Sequence, residues 1–342
     1  MSLNVLVARM DSAGDVLLAG PAIRAVARRA GRLTLACGPR GAAAGRLLPG
    51  VDGMLVQRAE WIDPEPPPLE RWRTLAFVDA LASGSFDQAL ILTSFHQSPL
   101  PLALLLRLAA VPEVAAISPD YPGSLLDLRH RVDDDLHEVE RSLSLAAALG
   151  YELPAGDDGA LAVKRHAGSG VGLPRPYVAV HPGTAAPARS WPMERHAELV
   201  RRLSATGRRV VVTGGPDEAR LTGEVSGPAS ARVHDLGGRL SLAQLAEVLA
   251  GADVLVAGNT GPAHLAAAVG TPVVSLYAPT VPAVRWRPWG VPHVLLYSEV
   301  PCAGCRARDC PVANHPCLAG VAVEDVLEAV EQLTIGRRAV VA

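Results

Sequence analysis

Lysine is nearly absent from this chain: of 342 residues only Lys164 is one, and arginine carries the positive charge. Alanine is also very frequent, so the bias reads as that of a GC-rich genome and not as a functional charge pattern. Neither sign of charge dominates, with 32 Lys+Arg against 34 Asp+Glu and a net charge of -2. That balance argues against a dedicated nucleic-acid binder, which needs a basic surface to meet phosphates. Long apolar runs are missing too. Pro99-Leu-Pro-Leu-Ala-Leu-Leu-Leu-Arg107 is too short to span a bilayer and ends in an arginine. A secretory leader is not expected in the opening residues, because Asp11 and Asp15 interrupt their apolar stretch. A soluble, cytoplasmic protein is expected, with at most peripheral membrane contact. No Gly-x-Gly-x-x-Gly follows the first apolar strand, which disfavours a dinucleotide oxidoreductase.

What is present is ample core. Hydrophobic residues make up 49% and charged residues 19%, over a length that suits two ordinary domains. Short apolar runs at Val5–Arg9, Leu33–Cys37 and Phe86–Leu92 read as strands. Helical spacing follows at 16–30, 100–110 and 136–149. This alternation implies a parallel sheet with helices on both faces. The stretch from Lys164 to Pro176 is rich in Gly and Pro and reads as a linker. Beyond it the alternation restarts: strands at 177–180, 209–213, 254–258 and 273–277, helices at 193–205 and 242–249, and a final amphipathic helix from Val323. The expected domains are 1–165, 176–322 and a C-terminal helix and tail, 323–342. Doubly wound halves of this kind bind ligands at the carboxyl ends of their strands, here most naturally in the cleft between halves.

Four segments sit at such strand ends. In Arg9-Met-Asp-Ser-Ala-Gly-Asp15, Asp15 lies just past the first strand, where a carboxylate could act as a general base. Taken alone, it reads better as an acidic residue in a first helical turn, favoured by the helix dipole. His181-Pro-Gly-Thr-Ala-Ala-Pro-Ala-Arg189-Ser-Trp191 offers Gly183 and Thr184 for phosphate contact and Arg189 as a fixed-charge clamp. Equally, Arg189 could be a solvated loop charge and Trp191 a packing residue. Thr213-Gly-Gly-Pro-Asp-Glu218 places Gly214 at a strand end, with Glu218 a ribose ligand or a helix cap. Asn259-Thr-Gly-Pro-Ala-His264 reads as a strand, a tight turn and a helix start. Thr260 can cap that helix, Gly261 admits a ligand to the backbone, and Pro262 fits the first turn at no cost. Amides and dipole together would make an anion site, or the segment is an ordinary capped turn. His264, one turn in, is either packed or beside the anion.

Together these segments resemble glycosyltransferase family nine, the heptosyltransferases. The Arg–x–x–x–x–Gly–Asp opening, His181-Pro-Gly183 with Trp191-Pro192, Asn259 to His264 and Gly270-Thr-Pro-Val-Val all match in order. The resemblance covers nearly the whole chain. It implies the GT-B fold, two facing Rossmann-like doubly wound domains, the first for the acceptor and the second for the donor. It also implies inverting, metal-independent transfer of a heptose or related sugar from an ADP-sugar to a hydroxyl. The acceptor would be the lipopolysaccharide core, another glycan or a natural product. Carried over by motif, Asp15 is the base and Arg189 the cation beside the donor diphosphate. Thr260, Gly261 and His264 would hold that diphosphate, and Gly183, Thr184, Gly214, Glu218 and Asn259 are the further donor-side candidates. Loops carrying Asp11, Ser12 and His96 are expected on the acceptor side. The family often has Asp where this chain has Asn259, which leaves the donor sugar open.

Four of the five cysteines cluster as Cys302-x2-Cys305-x4-Cys310-x6-Cys317, with His315 among them. The spacing suits a structural zinc site, or a loop of packed thiols without metal. No cofactor is expected for catalysis, and a monomer is expected. Two other readings stay open: a sugar-nucleotide epimerase of the same architecture, and a non-catalytic nucleotide-sugar-binding protein.

Overall fold

The computed structural model describes residues 2–133, 135–165 and 171–341, with side chains through residue 335. It divides into two compact units, Met1–Lys164 and Arg165–Ala342. Residues 166–170 of the expected linker lie outside the described residues.

The first unit holds six parallel strands: β1 (Asn4–Arg9), β2 (Arg32–Cys37), β3 (Gly53–Val56), β4 (Gln88–Ile91), β5 (Glu113–Ile117) and β6 (Leu128–His130). Their order is β3-β2-β1-β4-β5-β6. The second unit repeats the plan with β7 (Tyr177–His181), β8 (Arg209–Val212), β9 (Val233–Asp235), β10 (Val254–Gly258), β11 (Val273–Leu276) and β12 (His293–Leu296). Its order, β12-β11-β10-β7-β8-β9, is the same winding seen from the other edge. Each sheet reverses its winding direction once, between β1 and β4 and between β7 and β10. These are the switch points at which open α/β sheets bind ligands.

The central strands are near-continuous apolar runs because helices cover both of their faces. All five residues of β7 and of β10 are buried. In the second unit Val178, Val180, Val210, Val212, Val254 and Val256 form one packed cluster with Leu199, Val200 and Leu203 of the helix Met193–Ala205. The final helix, Val323–Val341, closes the same cluster with Val326, Ala329, Val330 and Leu333. That i, i+3, i+4, i+7 spacing makes a single apolar stripe. It therefore belongs to the core of the second unit.

The first helical stretch departs from expectation. In place of one helix over 16–30 there are two, Ala13–Leu18 and Gly20–Ala27, broken at Ala19. Pro21 is the cause: it has no amide for the Leu17 carbonyl, and its ring crowds that carbonyl one turn back. The first helix also begins three residues earlier than expected, with Ser12 at its N-cap. Asp15 is thereby set in the first turn, at the mouth of the sheet.

Candidate functional site

In the first unit the site is organised by Arg9, the last residue of β1, whose side chain is 1% exposed. One guanidinium nitrogen, Nη2, lies 3.0 Å from Asp11 Oδ2 and 3.1 Å from Asp15 Oδ1, and donates to Ser94 Oγ at 2.8 Å. The other, Nη1, donates to Glu138 Oε2 at 3.1 Å. The register Ala8↔Ile91 brings the end of β1 beside the start of the loop carrying Ser94. Three carboxylates thus share one guanidinium. Asp11 and Glu138 side chains are 4% and 1% exposed, whereas that of Asp15 is 21% exposed. Only Asp15 of the three opens toward solvent.

Burial, reinforced by the Asp15 charge, pushes the Asp11 carboxyl up to about 6 against the opposing pull of Arg9. The Glu138 carboxyl is raised for the same first reason, burial, with Arg9 and Arg141 opposing. Asp15 Oδ2 accepts from the Ser12 hydroxyl at 2.7 Å and from the Ser12 amide at 3.4 Å. The helix-start role and the site role of Asp15 therefore coexist. Asp11 and Ser12, expected on the acceptor side, make their hydrogen bonds and ion pairs within the cluster itself. Asp11 is turned inward onto Arg9 and Ser94, because a carboxylate next to a buried guanidinium is held by charge. Ser12 is tied to Asp15. His96 stands exposed on its loop, edge-on to Phe95 with ring centroids 5.2 Å apart. Glu138 carried no signal in the sequence, since an acid opening a helix reads as a partner for the dipole.

In the second unit the register Ala257↔His181 sets the turn after β10 beside the turn after β7. The two turns touch at Gly258, where a Cβ would lie 3.0 Å from Thr184 Cγ2 and 3.1 Å from the Arg189 carbonyl oxygen. Thr184 Oγ1 donates to the Ala186 carbonyl at 2.8 Å and pairs with Ser190 Oγ at 2.8 Å. Arg189 closes the turn Pro187–Arg189, and its Nη1 lies 3.5 Å from the Asn259 carbonyl oxygen. Its buried Nε has no hydrogen-bond partner among the described residues. Asn259 Nδ2 donates to the Ala278 carbonyl at 3.3 Å.

Thr260 is the N-cap of the helix Gly261–Ala268, but its side chain makes no capping bond. Fewer amides point outward here than the motif suggested. The Thr260 amide donates to Gly258 and the Ala263 amide to Thr260, while Pro262 has none. The Gly261 amide, the Thr260 hydroxyl and the dipole remain to meet an anion. His264 is buried one turn in.

Glu218 fills the space beside two glycines. A Cβ at Gly183 would overlap its carboxylate, and one at Gly214 would lie 3.1 Å from its Cβ. Its Oε2 accepts from the Gly215 amide at 2.7 Å and lies 3.6 Å from His181 Nε2. Burial lowers the His181 imidazole, with Glu218 opposing, and Nδ1 pairs with Thr213 Oγ1 at 3.0 Å. Trp191 is a packing residue: it is 3% exposed, and its indole N–H donates to the Val321 carbonyl at 3.1 Å.

All four clustered cysteines line one small cavity with His315 and Ala188. Burial and the neighbouring Cys310 and Cys302 raise the Cys317 thiol. The donor set suits a thiolate-bound metal, but the geometry does not yet provide one. Among the described residues no three His, Cys, Asp or Glu side chains converge to hold an ion. The segment instead grips the Arg189 turn: the Ala188 amide donates to Arg308 at 2.9 Å, and His315 Nε2 lies 3.0 Å from the Ala188 carbonyl oxygen. Cys37 is buried in β2, and burial pushes its thiol up to about 11.

Two doubly wound parallel sheets in one chain, each with polar groups at its switch point, define the GT-B class. The model of glycosyltransferase family 9 (heptosyltransferase) matches residues 74–315, and the chain belongs to that family. Lipopolysaccharide heptosyltransferase 1 of Pseudomonas aeruginosa is 38% identical over 179 residues, 51% of this chain and 48% of that protein. The chain spans about half the length of the curated relatives it matches. A family 9 glycosyl transferase from Veillonella parvula superposes with a TM-score of 0.81 at 18% identity, covering 98% of each chain. Escherichia coli ADP-heptose lipopolysaccharide heptosyltransferase II gives 0.77 at 19% identity, covering 98% of this chain and 100% of that one. More distant is TibC of enterotoxigenic E. coli, an iron-containing dodecameric glycosyltransferase. Its TM-score is 0.57 at 17% identity, over 98% of this chain and 77% of that one. Among the described residues no helix is long and apolar enough to cross a membrane.

Proposed function

We propose that this chain is an inverting glycosyltransferase that moves a heptose from an ADP-sugar to a hydroxyl of the lipopolysaccharide core. One observation carries the reading: Asp15 is the accessible carboxylate of a buried charge cluster at the switch point of the first sheet. In this reading the acceptor O–H gives its proton to the Asp15 carboxylate as its oxygen bonds to the anomeric carbon. The bond from that carbon to the diphosphate breaks, and ADP leaves carrying the electron pair. Arg189, the Thr260 hydroxyl and the amide end of the helix Gly261–Ala268 stabilise the departing negative charge, assisted by His264. Arg189 supplies a fixed positive charge, so the step needs no metal. Glu218, held against Gly183 and Gly214, would accept hydroxyls of the donor ribose in this reading.

Residues 1–165 then serve the acceptor and 176–322 the donor, in a cytoplasmic monomer with at most peripheral membrane contact. A zinc ion on Cys302, Cys305, Cys310 and Cys317 would be structural. It would draw the four thiolates together and stiffen the segment that grips Ala188. Metal analysis of the purified chain tests that point.

The functional test is a turnover assay with ADP-heptose and a heptose-free lipopolysaccharide acceptor, following ADP release and the product anomer. Acceptor-dependent release with inversion supports the reading. Epimerised ADP-sugar formed without acceptor would replace it with an isomerase. Turnover unaffected by Asp15→Asn would remove the base from the scheme.

A further inference from the structure

The charge cluster in the first unit holds more than the base itself needs. A general base at a site mouth requires an exposed carboxylate and something to orient it. Here the orienting group, Arg9, is fixed from two directions. Its Nη2 meets Asp15, Asp11 and Ser94, and its Nη1 meets Glu138, which lies 129 residues further along the chain. Glu138 is the first residue of the helix Glu138–Ala148 and is fully buried. That helix start is itself pinned. The Val139 amide donates to His137 Nδ1 at 3.2 Å, and the His137 amide donates to Glu140 Oε2 at 3.1 Å. A carboxylate only 1% exposed and turned onto Arg9 has no open face to offer an acceptor. What it can do is set the rotation of the guanidinium about its long axis, and with it where Nη2 points.

We infer that Glu138 is a positioning residue: through Arg9 it aims the Asp15 carboxylate and sets how strongly that carboxylate holds a proton. The inference rests on the reading of Asp15 as the base. The groups that face Asp15 include Arg9 and Asp11 from β1 and the turn after it, Ser12 from the helix cap, and Glu138 from the helix 138–148, with Arg141 behind Glu138. Arg9 is in direct contact with all three carboxylates, so removing one carboxylate's charge leaves more of its field for the others.

The test compares Glu138→Gln, Arg9→Lys and Asp15→Asn in the full chain, assayed with ADP-heptose and heptose-free lipopolysaccharide. Glu138→Gln keeps the shape and one acceptor for Nη1 but removes the charge. It is expected to lower kcat about tenfold, leaving KM for ADP-heptose unchanged, because a less basic and less firmly aimed carboxylate is the poorer base. The acid limb of its kcat profile should move down by about one pH unit, since Asp15 then has less negative charge beside it. Arg9→Lys should move that limb the opposite way, because a single ammonium cannot reach both Glu138 and Asp15. A merely structural role for Glu138 would lower stability without displacing the limb. The 13C shift of the Asp15 carboxyl, titrated in wild type and variants, reads the same displacement with no acceptor present.

Wild-type kcat and pH profile in Glu138→Gln, with Asp15→Asn inactive, would overturn the inference and leave the base standing. Full activity in Asp15→Asn would overturn both. Should Glu138→Gln fail to fold, Glu138→Asp carries the test: it keeps the charge but shortens the reach to Nη1, so a lowered kcat supports the inference and a wild-type kcat overturns it.

Discussion

His315 Nε2 lies 3.0 Å from the carbonyl oxygen of Ala188, the residue before Arg189. The contact joins two stretches 127 residues apart and makes the cysteine segment a brace for the turn that carries the proposed diphosphate clamp. His315→Ala should therefore weaken ADP-heptose binding about fivefold, the equivalent of one lost hydrogen bond of about 1 kcal/mol. Isothermal titration with ADP-heptose checks it. Unchanged affinity would mean that the turn holds its shape without the brace.

Arg189 itself should matter more to the transition state than to the ground state. Arg189→Ala is expected to lower kcat by about 10²–10³, the scale for removing one preorganised group from developing charge. Arg189→Lys should recover only part, because an ammonium cannot span two phosphate oxygens as a planar fork does. Steady-state kinetics at saturating ADP-heptose separates the two effects.

Asp11 in the first unit and His196 in the second should respond to acid in opposite senses. The folded Asp11 carboxyl, near 6, lies above its ordinary 3.8. Between those values the folded state binds more protons, so Asp11 costs stability as pH rises through that window. Asp11→Asn mimics the protonated form and should stabilise the first unit at neutral pH, by on the order of 2 kcal/mol, with the gain vanishing below about pH 4. His196 works the other way. Burial, with a lesser push from His181, lowers its imidazole from 6.5 to about 3, and its ring packs edge-on against Trp191. There the unfolded state binds the extra proton, so the second unit loses stability as pH falls from 6.5 toward 3. Hydrogen exchange resolved by segment, at pH 7 and pH 5, reads both slopes in one protein.

Gly183 is held to glycine by the Glu218 carboxylate. Gly183→Ala should displace that carboxylate from the Gly215 amide. The expected result is a loss of about 1 kcal/mol in stability and weaker donor binding. Thermal melts with and without ADP-heptose would show it. A melt unchanged in both conditions would mean that the carboxylate has a second resting place.

Much of the architecture was legible because β1, β2, β7, β8, β10 and β11 are apolar runs bounded by Gly, Pro or polar turns. The sheet-edge strands β3, β6, β9 and β12 were not. They are three or four residues long and only partly buried, so they carry little hydrophobic signal. The helix Arg71–Ser83 escaped for a related reason: Trp72 and Leu75 lie on its exposed side and blur the apolar stripe. The site followed the same divide. Asp15 and Arg189 sit in local motifs at strand ends, where position alone suggests chemistry. Glu138 joins them only through a tertiary contact, and Asp11, in the same motif as Asp15, turns inward because Arg9 is buried beneath it. No local pattern encodes either fact.

The most direct test of the account is acceptor-dependent ADP release from ADP-heptose by wild type and Asp15→Asn, with ADP-heptose affinity measured in parallel. The account predicts turnover in the wild type, a loss of about 10²–10⁴ in the variant, and donor affinity equal in both. Equal turnover in the two proteins would contradict it.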